Sequence, residues 1–162
     1  MSAHTPRIFA RDEGDHFDLL GSRATVKVAG AETGGAMTVI EVLAPRGFGP
    51  PLHRHDIEDE LFHVTEGALW VSCDGQEQTL GPGGTVWLPK GLAHQFQAVG
   101  ENATRFLQIS APAQFEDMVA ALGARLDDAG LPEPVEIDPA KVAEICARFQ
   151  VEILGPPPAP LD

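Results

Sequence analysis

Apolar and polar residues alternate in short runs through most of the chain before Pro112, the period-two pattern of strands with one buried face. The runs His16–Leu20, Ala24–Ala29, Met37–Ala44, Leu61–Thr65, Ala68–Cys73, Gln76–Leu80, Thr85–Leu88, Ala93–Val99 and Arg105–Ser110 are each predicted as strands. Turn-forming residues separate them: Gly34-Gly35, Pro45 to Gly47, Asp74-Gly75 and Gly81 to Gly84. Asp74-Gly75 between two alternating runs is a two-residue hairpin signal. Short strands at even spacing, with no helical pattern between them, predict an all-β sandwich or jelly-roll barrel.

The pattern changes after Pro112. Phe115, Met118, Val119, Leu122 and Leu126 recur at helical spacing, so a helix is predicted over Gln114–Asp127. The Gly130 to Pro134 stretch breaks it. Asp138-Pro139 then reads as an N-cap followed by proline at the first helical position, opening a second helix that runs to about Phe149. The Pro-rich tail from Gly155 to Pro160 is expected to extend along the surface. The helical pair is too short for a core of its own and is expected to serve as lid, brace or oligomer contact. One domain over residues 1–162 is expected, with a barrel at about 16–111 and a helical extension at about 113–155. The polar residues 1–15 are expected to be loose or draped over a neighbour.

Composition narrows the function classes. With 43% hydrophobic and 22% charged residues the chain is ordinary for a globular protein, and no apolar run is long enough to cross a bilayer. The first residues lack the charged-then-apolar layout of a signal peptide. The two cysteines, Cys73 and Cys146, suggest no disulfide framework and default to small buried hydrophobes. A reduced, cytoplasmic protein is the expectation. A net charge of −13 with scattered basic residues argues against nucleic acid or an anionic membrane as partner.

The chemistry concentrates in Gly47 to Gly67 and Gly83 to His94. His53 and His55 are two apart, so on an extended strand both imidazoles leave the same face. Glu60 follows an acidic run, and His94 follows a Pro89-Lys90-Gly91 turn. A lone His-x-His pair is more often a solvated strand edge. The added carboxylate and third imidazole point instead to a site for a divalent first-row metal. Asp56, Glu58 and Asp59 could compete as the carboxylate, although an acidic loop is more often solvated. His63 has the parity opposite to Glu60 and should face away, while His4 and His16 are expected to be bystanders. Phe62, Val64 and Phe96 are expected to wall a pocket, which is equally what a barrel core requires. Gly81 to Gly84 lacks a following helix and is a turn, not a phosphate cradle.

These residues carry a family resemblance. Gly47, His53, His55, Glu60 and Gly67 fill every fixed position of the first cupin motif: Gly, five residues, His-x-His, four residues, Glu, six residues, Gly. Gly83, Pro89, Gly91 and His94 fit the second motif, whose final Asn position holds Ala98 here. Residues 68–82 separate the two motifs, the distance of a compact cupin. The resemblance implies a double-stranded β-helix (jelly-roll barrel) with His53, His55, Glu60 and His94 around one divalent transition metal ion, whether iron, manganese, nickel, cobalt, copper or zinc. It also favours Glu60 among the acidic residues and raises the expectation of a homodimer in which residues before Thr25 contact the partner.

The small frame and its C-terminal extension are also similar to bacterial proteins grouped with quercetin 2,3-dioxygenases. That similarity implies a small organic substrate of flavonol or other phenolic or enolic type, with dioxygen as co-substrate. Glu60 would act as the base for the substrate hydroxyl, and ring opening would release carbon monoxide. A metal-dependent isomerase or lyase would use the same side chains without oxygen. A binding cupin with no turnover is the third reading. The metal-free epimerases of this fold use a tyrosine acid, and the chain contains no tyrosine.

Overall fold

The computed structural model describes residues 5–161. His4 therefore lies outside the described residues. The strands are β1 (Asp15–Leu19), β2 (Ser22–Val28), β3 (Thr38–Ala44), β4 (His53–His55), β5 (Asp59–Glu66), β6 (Leu69–Cys73), β7 (Gln76–Leu80), β8 (Thr85–Leu88), β9 (His94–Ala98), β10 (Thr104–Ala111) and β11 (Val151–Ile153). The helices are α1 (Gly30–Thr33), α2 (Phe115–Leu122) and α3 (Pro139–Arg148). Two antiparallel sheets face each other in a jelly roll, one ordered β1-β2-β3-β10-β5-β8 and the other β11-β4-β9-β6-β7.

Alternation decides which face each strand buries. In β3 the residues Thr38, Ile40, Val42 and Ala44 are buried while those between them are not, and β5 alternates in the same way from Glu60 to Val64. Phe62, Phe96 and Phe106 meet between the sheets with ring centroids 5.2–5.4 Å apart. Asp74 and Gly75 both have positive φ, and the β6–β7 hairpin closes on them with Cys73 opposite Gln76. That is the backbone a two-residue hairpin turn requires.

Gly67 ends β5 at φ +77°, and a Cβ there would lie 2.7 Å from Thr104 Oγ1 and 2.9 Å from Thr104 Cα. Gly67→Ala combines a left-handed L-residue, about 1–2 kcal/mol, with overpacking of about 1–3 kcal/mol. Chemical denaturation should show a loss of about 2–5 kcal/mol on those grounds. An unchanged midpoint would show that the turn relaxes at no cost.

Three expectations need correction. The first long helix stops at Leu122 rather than Asp127. There the backbone turns to pair with β1: Asp18 N–H donates to Ala124 O at 2.8 Å, and Leu126 N–H to His16 O at 2.9 Å. Gly123 permits the approach, since a Cβ would sit 1.8 Å from Asp18 O. Second, the described part of the N-terminal arm rests on its own barrel. Asp12 Oδ1 accepts from the buried Arg23 at 2.8 Å and from Arg105 at 3.0 Å, and Glu41 lies against the same two guanidiniums. Third, β11 is a strand that three residues of sequence do not announce. It pairs with β4, setting Val151 opposite His55 and Ile153 opposite His53.

The second helix begins as expected. Asp138 caps it, accepting from Ala140 N–H at 3.0 Å and Lys141 N–H at 3.3 Å. Both helices and β11 then close one end of the barrel. The tail crosses the surface, with Leu161 N–H donating to Gln97 Oε1 at 2.9 Å.

Candidate metal centre

β4 places His53 and His55 on one face, and β9 sets His94 directly opposite His53. Glu60 enters from β5, across the barrel. One ligand atom from each of His53, His55, Glu60 and His94 lies within 4.8 Å of the others, and all four residues are buried. Glu60 Oε2 is 3.1 Å from His94 Nε2 and 3.4 Å from His55 Nε2.

The outward-facing nitrogens fix the rings. His53 Nδ1–H donates to Pro51 O at 2.7 Å, and His94 Nδ1–H to Leu92 O at 3.2 Å. A carbonyl can only accept, so Nδ1 carries the proton and the Nε2 lone pair is left for the interior. His55 Nδ1 donates to Glu58 Oε1 at 2.7 Å. Its Nε2 is buried and has no hydrogen-bond partner among the described residues. Orienting metal-facing imidazoles through their other nitrogen is the usual arrangement around bound ions.

The electrostatics suit a cation. Burial, reinforced by His94 and His55, pushes the His53 imidazolium down to about 3, so this ring is neutral at neutral pH. Burial pushes the Glu60 carboxyl up, but His55, His94 and His53 outweigh it and hold it at about 2. Burial lowers His55, yet Glu60 and Glu58 raise it above its ordinary value. Glu58 and Glu60 are thus two buried carboxylates whose ion-pair partners, among the described residues, are histidines alone. Uncompensated buried charge is costly. A divalent ion would add positive charge beside these carboxylates, and a donor set of three imidazole nitrogens and one carboxylate fits one.

Glu58 is the clearest miss of sequence reasoning. It belongs to the acidic run expected to be solvated, yet it is 1% exposed and clamps His55. Its neighbours follow the solvated pattern: Asp56 pairs with Arg54 at 2.9 Å, and Asp59 accepts from Lys90 N–H at 2.9 Å. Glu58→Ala should weaken metal binding by about 10- to 100-fold, the usual effect of deleting such a partner. Competition with a chromophoric chelator would measure it, and unchanged affinity would remove Glu58 from the site.

Gln108 was also missed. It sits on β10 between Phe106 and Ser110 on the inward face, where an alternating strand should be apolar, and that is the signal it gave. Its Nε2 donates to Glu60 Oε1 at 2.5 Å. His63 and His16 stay outside the cluster, bonded through Nδ1 to Thr85 Oγ1 and Thr25 Oγ1.

A cavity of about 630 Å³, mouth included, reaches in to His53 and Glu60. Phe62 and Phe96 line it, whereas Val64 is buried in the core and does not. The rest of the wall comes from the C-terminal elements: Phe115 and Met118 of α2, Val142 and Cys146 of α3, and Val151 of β11. The helical extension is therefore a wall of the cavity. Cys146 is buried there as expected, while Cys73 is only half-buried.

Fold and site together define a small jelly-roll barrel with a buried three-histidine, one-glutamate cluster at the inner end of an apolar cavity. Residues 39–110 match the cupin domain family. Residues 39–110 thus carry a cupin domain, and the jelly roll around them is of cupin type. It is 26% identical over 118 residues to quercetin 2,3-dioxygenase of Bacillus subtilis, covering 73% of this chain and 35% of that one. An uncharacterized protein of Methanocaldococcus jannaschii is 24% identical over 79 residues, 49% of this chain and 63% of the other. The chain thus spans about a third of the first relative's length and less than two-thirds of the second's. Among solved structures, KdgF from a Halomonas species superposes with TM-score 0.62 at 22% identity, covering 70% of this chain and 99% of that one. A predicted oxalate decarboxylase of Thermotoga maritima gives 0.57 at 16% identity, covering 67% and 99%. At such identities these structures speak for the fold alone.

Proposed function

We propose that this cupin is a metal-dependent dioxygenase that cleaves a flavonol-like or other phenolic or enolic substrate. His53, His55, Glu60 and His94 hold the ion in this reading, and Glu60 is also the base. The observation that carries it is the placement of His53 and Glu60 at the inner end of a largely apolar cavity. When bound, the ion supplies Lewis acidity, which makes the substrate hydroxyl acidic enough for so weak a base, and the one-electron chemistry that dioxygen requires. Glu60 takes the hydroxyl proton. Gln108 steadies the carboxylate through Oε1. Phe62, Phe96 and Phe115 hold the ring system and keep water out, which strengthens each polar contact inside. The similarity to the Bacillus subtilis enzyme supports the same reading.

Oxygen uptake by the metal-loaded protein on a panel of flavonols and simpler enols is the test. Uptake matched to substrate loss supports a dioxygenase. Turnover without oxygen identifies an isomerase or lyase, and binding without turnover a binding cupin.

A homodimer completes the proposal. Segment 124–126 hydrogen-bonds along β1, so residues before Thr25 would meet a partner through side chains rather than by strand pairing. Light scattering at micromolar concentrations should give twice the chain mass of 17.2 kDa, and a monomer mass refutes the dimer. No helix among the described residues is long and apolar enough to cross a membrane.

A further inference from the structure

The metal-facing cavity does not end at its mouth. A second apolar hollow of about 1080 Å³, mouth included, adjoins it and shares six wall residues: Leu20, Phe48, Pro50, Pro51, Val142 and Ile153. It runs on beneath the Pro-rich tail to Pro156 and Pro157 and to the half-exposed Ile137. The first hollow reaches Glu60, and the second lies beneath the tail at the protein surface, with these six residues bordering both.

Few polar side chains line either hollow, and those near Glu60 are engaged. Ser22 Oγ donates to Leu19 O at 2.8 Å. Gln108 donates to Glu60. Pro50 and Pro51 have no N–H to offer, and Pro51 O is taken by His53. A ligand can therefore make polar side-chain contacts at the metal-facing end, and beyond it the side chains it meets in the inner cavity are almost all apolar. A hydroxyl held in the inner cavity between Phe62, Phe96, Phe115 and Met118 would be buried without a partner, which is costly.

Resting on the proposed function, we infer that the two hollows serve as one passage, and that the substrate is an elongated, hydroxyl-poor molecule whose single polar enol or phenol head faces Glu60 and whose apolar body extends past Val142. Val142 and Phe48 are its specificity-determining residues, because both hollows share them. A polyhydroxylated flavonol fits this passage worse than its parent ring system.

The test uses protein loaded with zinc, which does no redox chemistry, and reads binding by calorimetry. Three probes share a hydroxy-ketone head: 3-hydroxypyran-4-one carries the head alone, 3-hydroxyflavone adds an apolar body, and quercetin adds further hydroxyls to that body. The expected order is 3-hydroxyflavone tightest, with quercetin weaker by about tenfold or more, the cost of stranded hydroxyls. The head alone should be weaker by about 100-fold, from the lost apolar burial. Val142→Phe should erase the advantage of 3-hydroxyflavone and leave the head-only probe unchanged. If that variant does not fold, the order of the three probes on the parent protein decides. Quercetin binding as tightly as 3-hydroxyflavone, equal affinity of the head-only probe, or no binding of any probe overturns the inference. The expected order on zinc-loaded protein, with no oxygen uptake on any enol by protein loaded with iron, manganese, nickel, cobalt or copper, would instead retain the passage and reject the dioxygenase reading.

Discussion

Replacing Glu60 by glutamine is expected to leave a folded protein that still takes up metal but no longer turns over substrate. The side chain is 2% exposed and lies between two sets of partners, Gln108 at Oε1 and the imidazoles at Oε2. An amide of the same shape can keep an oxygen toward the imidazoles, so three nitrogen donors and one oxygen donor persist. It cannot accept the hydroxyl proton in the ordinary pH range. Loss of a positioned base costs about 10²- to 10⁴-fold in rate. Metal content, affinity for 3-hydroxyflavone and oxygen uptake, measured together on parent and variant, separate the effects. A fully metallated Glu60→Gln protein turning over at the parental rate would sink the base assignment. A binding-only cupin would instead show ligand affinity changing modestly and no turnover in either protein.

Much of this site could be read from the sequence because its residues obey local rules. His53 and His55 share a face by strand parity, and motif spacing singles out Glu60 and His94. The barrel strands were legible for the same reason, since alternation survives wherever one face is buried. What escaped depends on contacts remote in sequence. β11 exists because β4 offers it an edge almost a hundred residues earlier in the chain. α2 ends at Leu122 because β1 takes the backbone that follows, although the apolar period continues to Leu126. Glu58 is buried because His55 needs an acceptor, a demand invisible in a run of acidic residues. The apolar stripes of α2 and α3 were visible, but their packing over a cavity mouth was not. The same period fits a lid, a brace or a subunit contact.

His94→Ala is expected to abolish metal-dependent stabilisation of the fold. His94 is 1% exposed, and its ring lies 4.5 Å from that of His53 and 5.6 Å from that of His55, centroid to centroid. Truncation removes one of the four donors and opens a void that no neighbouring nitrogen can span. A ligand that binds only the folded state at 100 times its dissociation constant stabilises by about 2.7 kcal/mol. For a chain of this size that corresponds to a rise of roughly 5–10 °C in melting temperature. The parent protein should show such a rise when zinc is added to the metal-free form, and His94→Ala should not. His63→Ala is the control, because His63 sits on the opposite face of β5, bonded to Thr85, and should leave the rise intact. A rise that persists in His94→Ala would show that the ion does not depend on this ring. Loss of the rise in His63→Ala as well would mean that zinc acts elsewhere on the surface. With both variants behaving as expected, the remaining stability of metal-free His94→Ala isolates the packing role of the ring. Deletion of a buried side chain of this size costs about 2–5 kcal/mol. The loss here should fall at the lower end, because the deleted ring is polar and gains less from burial than a hydrocarbon side chain.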